Sequence, residues 1–417
     1  MRLEPLTAGV AARLLARRAR RDREAEAVAA RIVHDVWRRG DGAVCRWTAR
    51  LDGVRLEPRE FWVPEPELER AVRGLERPVR RAIAHAARNI TRVARWQLPR
   101  PSELRVEPGV RLAQLWRPLD RVACYVPGGR FPLVSTLLMT VIPARVAGVA
   151  EIVVVCPRPA PEILAAAHLL GVRRVLRLGG AQAIAALAAG TETIPAVEKI
   201  CGPGNRFVTA AKRLVSGRVG VDLLAGPTEL VVIASRLAAA QAIAADLLAQ
   251  AEHDPDVVSF LLTPSRELAE RVLEHLRRGL AALGPGSPAR QALTRSGPVY
   301  LTEDLAAAVE FANRFAPEHL SLPDGPALLP QVRAAGSVFV GRWSAQPAGD
   351  YATGSNHVLP TSGWARVRGG LSVLDFLRPI SVQRLNRQGL KRLAGTVVTL
   401  ARAEGLPAHA RAVEVRR

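Results

Sequence analysis

Between residues 119 and 234 the chain repeats one rhythm: RVACYV (121–126), STLLMTVIPARVAGV (135–149), EIVVVC (151–156), APEILAAAHLLGV (160–172), RVLRLG (174–179), QAIAALAAG (182–190), VEKIC (197–201) and ELVVIA (229–234). Short apolar runs alternate with longer segments of helical character. A strand–helix–strand order of this kind builds a parallel, doubly wound sheet. Glycines sit just past the strand ends, at Gly128-Gly129, Gly179-Gly180, Gly202 with Gly204, and Gly226. In such sheets ligands bind outside the carboxyl ends of the strands, and glycine lets backbone amides approach them.

On the C-terminal side a second alternating block runs from 236 to about 370. It opens with a strong helix over roughly 236–253, continues with strands at SFLLT, PVYLT and GSVFVG and a helix at DLAAAVEFANRF, and leads to a final helical segment over 383–404 that ends in EGLPAHA. On the N-terminal side residues 10–100 are helical, with apolar positions three and four apart in AVAARIVHDVW and PVRRAIAHAARNITRVARW. Gly40 and Gly42 end the first of these helices and Pro78 opens the second. Pro99, Pro101, Pro108 and Pro118 mark a boundary near 118.

A chain of 417 residues with 48% apolar residues is long enough for two or three domains. Its net charge of +21 raises nucleic-acid binding as a first thought. The detail argues against it. Only Lys199, Lys212 and Lys391 are lysines, the arginines are scattered, and Arg17–Arg23 is the one basic run, broken by Asp22. Aromatic residues, at 4%, offer few stacking platforms for single strands. Cys45, Cys124, Cys156 and Cys201 are isolated and suit a reducing compartment. There is no signal-peptide pattern and no apolar run of about 18 residues, so the expectation is a soluble cytoplasmic protein that neither spans a membrane nor binds nucleic acid.

Four segments could carry chemistry. Gln250 and His253, three residues apart at the end of LLAQAEHDPD, could grip one metal ion from a helix face, or simply be an exposed helix end. Glu318 and His319 in FAPEHLSL pair a carboxylate with an imidazole, two bases of different proton affinity. GDYATGSNHVLPT (349–361) is polar and Gly-rich yet follows an apolar strand, and it offers Asp350, Asn356 and His357. AEGLPAHA places Glu404 and His409 close to the C-terminus. Gln250, His253, Asp350 and His409 form an N/O donor set without thiolate, which suits zinc and equally manganese or cobalt.

Taken in order, YVPGGRFPLVSTLLM (125–139), GGAQAIAALAAGTETIPAVEKICGPGN (179–205), LLAGPTE (223–229), DLLAQAEHDPD (246–256), APEHL (316–320), GDYATGSNHVLPT and EGLPAHA resemble the histidinol dehydrogenase family, over nearly the whole chain from about residue 30. The resemblance implies an α/β fold of two Rossmann-like doubly wound domains with small helical N- and C-terminal tail domains. On this reading 1–15 is the N-terminal tail, 16–118 with 235–370 the first Rossmann-like domain, 119–234 the second, on the NAD side, and 371–417 a C-terminal tail swapped in a homodimer. It further implies Zn2+ held by Gln250, His253, Asp350 and His409, acid–base roles for Glu318 and His319, substrate contacts from Thr228, His357 and Glu404 as well as the metal ligands and His319, and an NAD site lined by Tyr125, Gln182 and Asn205.

The implied reaction takes L-histidinol to L-histidine through histidinal, with two NAD and one water, as the last steps of histidine biosynthesis. A zinc- and NAD-dependent paralogue acting on another small polar alcohol, such as a sulfonated diol, is the alternative. NAD rests on the resemblance alone: no GxGxxG stands between strand and helix, and no acid is recognisable as a ribose reader. Thr228 stands where the family usually has Ser, and Asp254 where some members have Gly, a change expected to strain a left-handed turn. Cys124 reads as strand packing.

Overall fold

The computed structural model describes residues 3–18, 22–128, 132–284 and 286–416; Gly129, and residues 19–21 of the basic run, lie outside them. Its strands are β1 (Leu3–Pro5), β2 (Ser102–Glu107), β3 (Val110–Pro118), β4 (Arg121–Tyr125), β5 (Glu151–Val155), β6 (Arg174–Leu176), β7 (Lys199–Cys201), β8 (Gly220–Val221), β9 (Glu229–Ile233), β10 (Val258–Thr263), β11 (Val299–Leu301), β12 (His319–Leu322), β13 (Ser337–Val340) and β14 (Leu377–Leu385). They form two parallel sheets, ordered β6-β5-β4-β7-β8 and β1-β11-β10-β9-β12-β13, and one antiparallel sheet, β14-β3-β2. The fold is α/β, with two doubly wound parallel sheets.

Both faces of the five-stranded sheet are covered, and the pleat of β4 divides its side chains between two cores. Ala123 and Tyr125 join the core under the Arg23–Asp52 and Gly180–Ala189 helices. Val122 and Cys124 join the core under the Val134–Ala147 and Pro161–Leu169 helices. The six-stranded sheet is covered on one side by the Ala240–Ala251 and Arg266–Ala282 helices. On its other side Phe260 stacks edge-on against Tyr300 and Phe315.

Several segments differ from the sequence reading. ELVVIA is not in the first sheet: β9 pairs with β10 and β12 at the centre of the second. The N-terminus is no separate tail, because β1 pairs with β11 and Ala11 and Leu14 enter the core beneath that sheet. The helices Arg23–Asp52 and Arg77–Trp96 pack on the five-stranded body, where their apolar faces are buried, and not on the six-stranded one. Gly40 kinks the first of these helices and does not end it, at φ 51° and ψ −136°. A Cβ there would sit 2.1 Å from the Glu192 carboxylate, which accepts the Asp41 N–H at 2.7 Å. The proline-rich stretch forms the β2–β3 hairpin, and residues expected to start the last helix belong to β14; that helix is Arg387–Ala403.

Candidate active site

The site lies in the seam between the two parallel sheets. Thr228 and Glu229 lead into β9 and Glu318 and His319 into β12, so these residues stand at the amino ends of the six-stranded sheet. Gly128, Gly179 and Gly202, by contrast, follow the carboxyl ends of β4, β6 and β7 in the other sheet. Gln250 sits in the last turn of the Ala240–Ala251 helix, and Asp350 in the short Gln346–Tyr351 helix after β13. His357 follows in the loop beyond; its Nε2 meets Thr136 Oγ1, in the first turn of the Val134–Ala147 helix, at 3.2 Å, which joins the two bodies. Ala316 adopts the left-handed conformation at φ 48° to turn the preceding helix into Pro317 and Glu318.

Hydrogen bonds fix each group. Gln250 Nε2 donates to Thr228 Oγ1, and Thr228 in turn donates to Glu318 Oε2. Oε2 also accepts the Glu229 N–H at 2.9 Å. Glu229, itself buried, accepts the Glu318 N–H at 3.2 Å and the Ser362 N–H at 3.0 Å. His319 Nδ1 lies 3.0 Å from the Glu229 carbonyl oxygen, and since that oxygen only accepts, Nδ1 carries the proton. His319 Nε2 is buried without a hydrogen-bond partner, 3.7 Å from Asp350 Oδ1. Gln346 Nε2 holds the other Asp350 oxygen at 2.8 Å. His357 Nδ1 donates to the Asp350 carbonyl at 2.9 Å, so its Nε2 accepts from Thr136.

The electrostatics follow from burial and neighbours. Burial raises the proton affinity of Glu318, against the pull of His319, Thr228 and the Glu229 N–H. Burial works against a charge on His319, but the carboxylates of Glu318 and Asp350 outweigh it and raise its pKa. Burial holds His357 below the ordinary histidine value. Asp350 is lowered despite burial, by His319, His357 and Gln346.

His253 is exposed in the bend after the helix, which ends at Ala251 and not at 253 as the sequence reading had it. Pro255 disfavours helical backbone at Asp254. Besides burial, the charge of His253 contributes to holding His357 down. Asp254 is not in a left-handed conformation, so the expected strain does not arise; its Oδ1 accepts the Asp256 N–H at 2.9 Å. Glu404 and His409 are exposed on the C-terminal helices, and none of the described contacts joins them to Gln250, His319 or Asp350. Among the described residues no three His, Cys, Asp or Glu side chains converge as a metal cluster. Gln250 Oε1 is nevertheless buried without a partner, a donor atom facing the site.

Away from this cluster a cavity of about 780 Å³ opens at the carboxyl ends of β4, β5 and β6. Tyr125, Gln182 and Asn205 all line it. Tyr125 OH accepts the Gly180 N–H at 3.1 Å, and burial raises its pKa. Gln182 is wholly buried; its Nε2 donates to Asp52 Oδ2 at 3.1 Å and its Oε1 has no partner. Asn205 Oδ1 caps the Arg206–Val215 helix, accepting from Phe207 and Val208.

Comparison with known proteins decides what this arrangement is related to. The family model described as histidinol dehydrogenase matches residues 15–417. The chain belongs to the histidinol dehydrogenase family. It is 49% identical over 399 residues to the histidinol dehydrogenase of Thermus thermophilus, covering 95% of each chain. It is 48% identical over 379 residues to that of Methanothermobacter thermautotrophicus, covering 89% of this chain and 88% of the relative. The crystal structure of histidinol dehydrogenase from Elizabethkingia anophelis superposes with a TM-score of 0.93 at 34% identity, covering 100% of this chain and 97% of that one. As a member of the histidinol dehydrogenase family the chain is an oxidoreductase. No helix among the described residues is long and apolar enough to cross a membrane.

Three side chains that shape the candidate site are not singled out by the sequence. Glu229 opens an otherwise apolar strand, and a lone carboxylate in that place is the signal that could have found it. Thr136 and Gln346 carry no such mark, because each acts only through a partner distant in sequence.

Proposed function

We propose that this chain oxidises L-histidinol to L-histidine through histidinal, with zinc, two NAD and one water. The observation that carries the chemistry is the bare Nε2 of His319, buried beside Asp350 while Nδ1 is committed to the Glu229 carbonyl. That tautomer presents an unprotonated nitrogen to a substrate hydroxyl. His319 takes the hydroxyl proton of the alcohol, and later that of the aldehyde hydrate. Glu318 takes a proton from the water that adds to the aldehyde; its raised proton affinity suits this near neutral pH. Both of its donors fall on Oε2, which leaves Oε1 to act on that water.

The donor set fits zinc: it lacks sulfur, Asp350 is held ionised, and Gln250 Oε1 needs a partner. Gln250, His253 and Asp350 would hold the ion, with the exposed His409 supplied by a second copy. Bound zinc supplies an anchoring point for the substrate's amino and imidazole nitrogens. Thr228, His357 and Glu404 would contact the substrate. The cavity carrying Tyr125, Gln182 and Asn205 fits NAD, which supplies the hydride acceptor; the unpartnered Gln182 Oε1 supports this placing. The working unit would be a swapped homodimer in the cytoplasm. NADH yield at limiting histidinol tests the reading. Two NADH per histidinol is expected; one would overturn the two-step course, and none would overturn the substrate.

A further inference from the structure

The five strands around the dinucleotide cavity run in the order 3-2-1-4-5 when counted from β4. In sheets of this order the acid that reads the adenosine ribose follows the second strand. Here the second strand is β5, and Pro157 and Arg158 follow it. Asp52, the last residue of the Arg23–Asp52 helix, lines the cavity beside Gln182.

We propose that Asp52 sets the choice between the two nicotinamide dinucleotides: its carboxylate, held by Gln182, accepts from the free 2′-hydroxyl of NAD and repels the 2′-phosphate of NADP, while Arg158, which lines the same cavity, serves that phosphate only once the carboxylate's charge is removed. This rests on the NAD reading above and adds a residue to it.

Three observations carry the assignment. Gln182 donates to Asp52 Oδ2, so the carboxylate is oriented while Oδ1 stays available. Val28, Ile32, Leu51 and Phe207 give the same cavity an apolar wall, which suits an adenine ring. This wall belongs to the Arg23–Asp52 side of the sheet, whereas Thr136 and His357 meet on the other, from the Val134–Ala147 helix. Asp52 therefore marks the adenosine end, the end away from the Thr136–His357 contact. Arg158 lines the cavity with Asp52 and takes a left-handed backbone at φ 50°, uncommon for a non-glycine residue; burial raises the proton affinity of Asp52, and the charge of Arg158 and the Gln182 hydrogen bond oppose this.

Calorimetric titration of NAD and of NADP into the full-length protein, without substrate, reads the preference directly. Wild type should bind NAD at least about 30-fold more tightly than NADP, since a like-charge juxtaposition is strongly unfavourable. Asp52→Asn should cut that ratio by about tenfold or more, mostly by tighter NADP binding, and Asp52→Ser should do the same. Adding Arg158→Ala to Asp52→Asn should erase the gain for NADP. Thermal melting and oligomer size confirm that each variant is folded. An unchanged ratio in folded Asp52→Asn and Asp52→Ser overturns the assignment and leaves the NAD reading intact. Failure of wild type to bind either dinucleotide overturns both, and the absence of NADH from histidinol would report that separately.

Discussion

The ring of His319 is fixed by Glu229: Nδ1 donates to the Glu229 carbonyl at 3.0 Å, which leaves Nε2 as the only nitrogen free to take a proton. Asparagine in place of His319 can still donate to that carbonyl but has no basic nitrogen. His319→Asn should therefore lower kcat with both histidinol and histidinal by about 10²–10⁴-fold. Its melting temperature should stay near that of wild type. His319→Leu should lose activity equally and also melt lower, because the Glu229 carbonyl is left without its donor. If His319→Asn retains turnover on either substrate, His319 is not the base.

The neighbouring charges set the pH at which this base works. Burial alone would lower the proton affinity of His319, but Glu318 and Asp350 raise it above the ordinary 6.5. Catalysis needs the neutral form, so kcat/KM should rise with pH through a midpoint above 6.5. Glu318→Gln removes the largest raising influence and should move that midpoint to lower pH, besides slowing hydration. A midpoint that moves upward, or not at all, contradicts the coupling between the two residues.

Thr228 links Gln250 to Glu318 through one hydroxyl, accepting from the first and donating to the second. Serine preserves both bonds; valine preserves the shape and removes them. Thr228→Ser should stay within about twofold of wild type. Thr228→Val should lose about 10–100-fold in kcat, in line with the 1.5–3 kcal/mol carried by a hydrogen bond to a charged group. Equal rates for the two variants would show that the hydroxyl does not matter.

The parallel sheets were legible because both faces of their strands are buried, so RVACY, EIVVV and SFLLT stand out as unbroken apolar runs. The antiparallel sheet was not: β2 and β14 are largely exposed, and Pro379 and the prolines flanking β2 disguise them as boundary sequence. The pairs Glu318–His319 and Asp350–His357 were visible as polar residues beside apolar strands. The location of Glu318 and His319 at the amino end of β12, beside Thr228 and Glu229 at that of β9, was not, since strand order and the seam between sheets arise from contacts such as Thr228–Glu318 and Thr136–His357, 90 and 221 residues apart in sequence. Asp52 stayed hidden for the same reason, as it reaches the cavity from a helix end and not from the turn after β5.

Asp246 lies one turn before Gln250 on the same helix, and burial pushes its carboxyl up to about 6, opposed by the Gln346 backbone N–H. The folded protein then binds more protons than the unfolded chain between the ordinary 3.8 and about 6. Stability from this group is full below the lower value and is lost as pH rises through the upper one. Asp246→Asn keeps an acceptor for Gln346 and removes the charge. It should melt higher than wild type at pH 8 and equally at pH 3.5. A variant that is less stable at pH 8 would mean that the ionised carboxylate is needed.

Glu404 and His409 stand exposed on a tail whose two helices pack chiefly on each other, joined by a left-handed turn at Gly405. Gln250 and Asp350 are gathered in the seam by Thr228 and Gln346, and His253 is exposed in the bend just after the helix that carries Gln250. If the tail completes the neighbour's site, His253→Ala and His409→Ala damage different halves of a shared site. Each variant alone should be inactive. When the two are unfolded and refolded together in equal amounts, about half of the dimers should be mixed. A mixed dimer then holds one site with both lesions and one site with none. Activity should therefore recover to about a quarter of the wild-type level, half the dimers each having one of two sites intact. Were each site built from a single chain, every site would carry one lesion and the mixture would stay inactive. Mixed dimers detected by mass but without recovered activity would exclude the shared site, and would require His409 to reach its own chain's Gln250 and Asp350 by a movement of the tail.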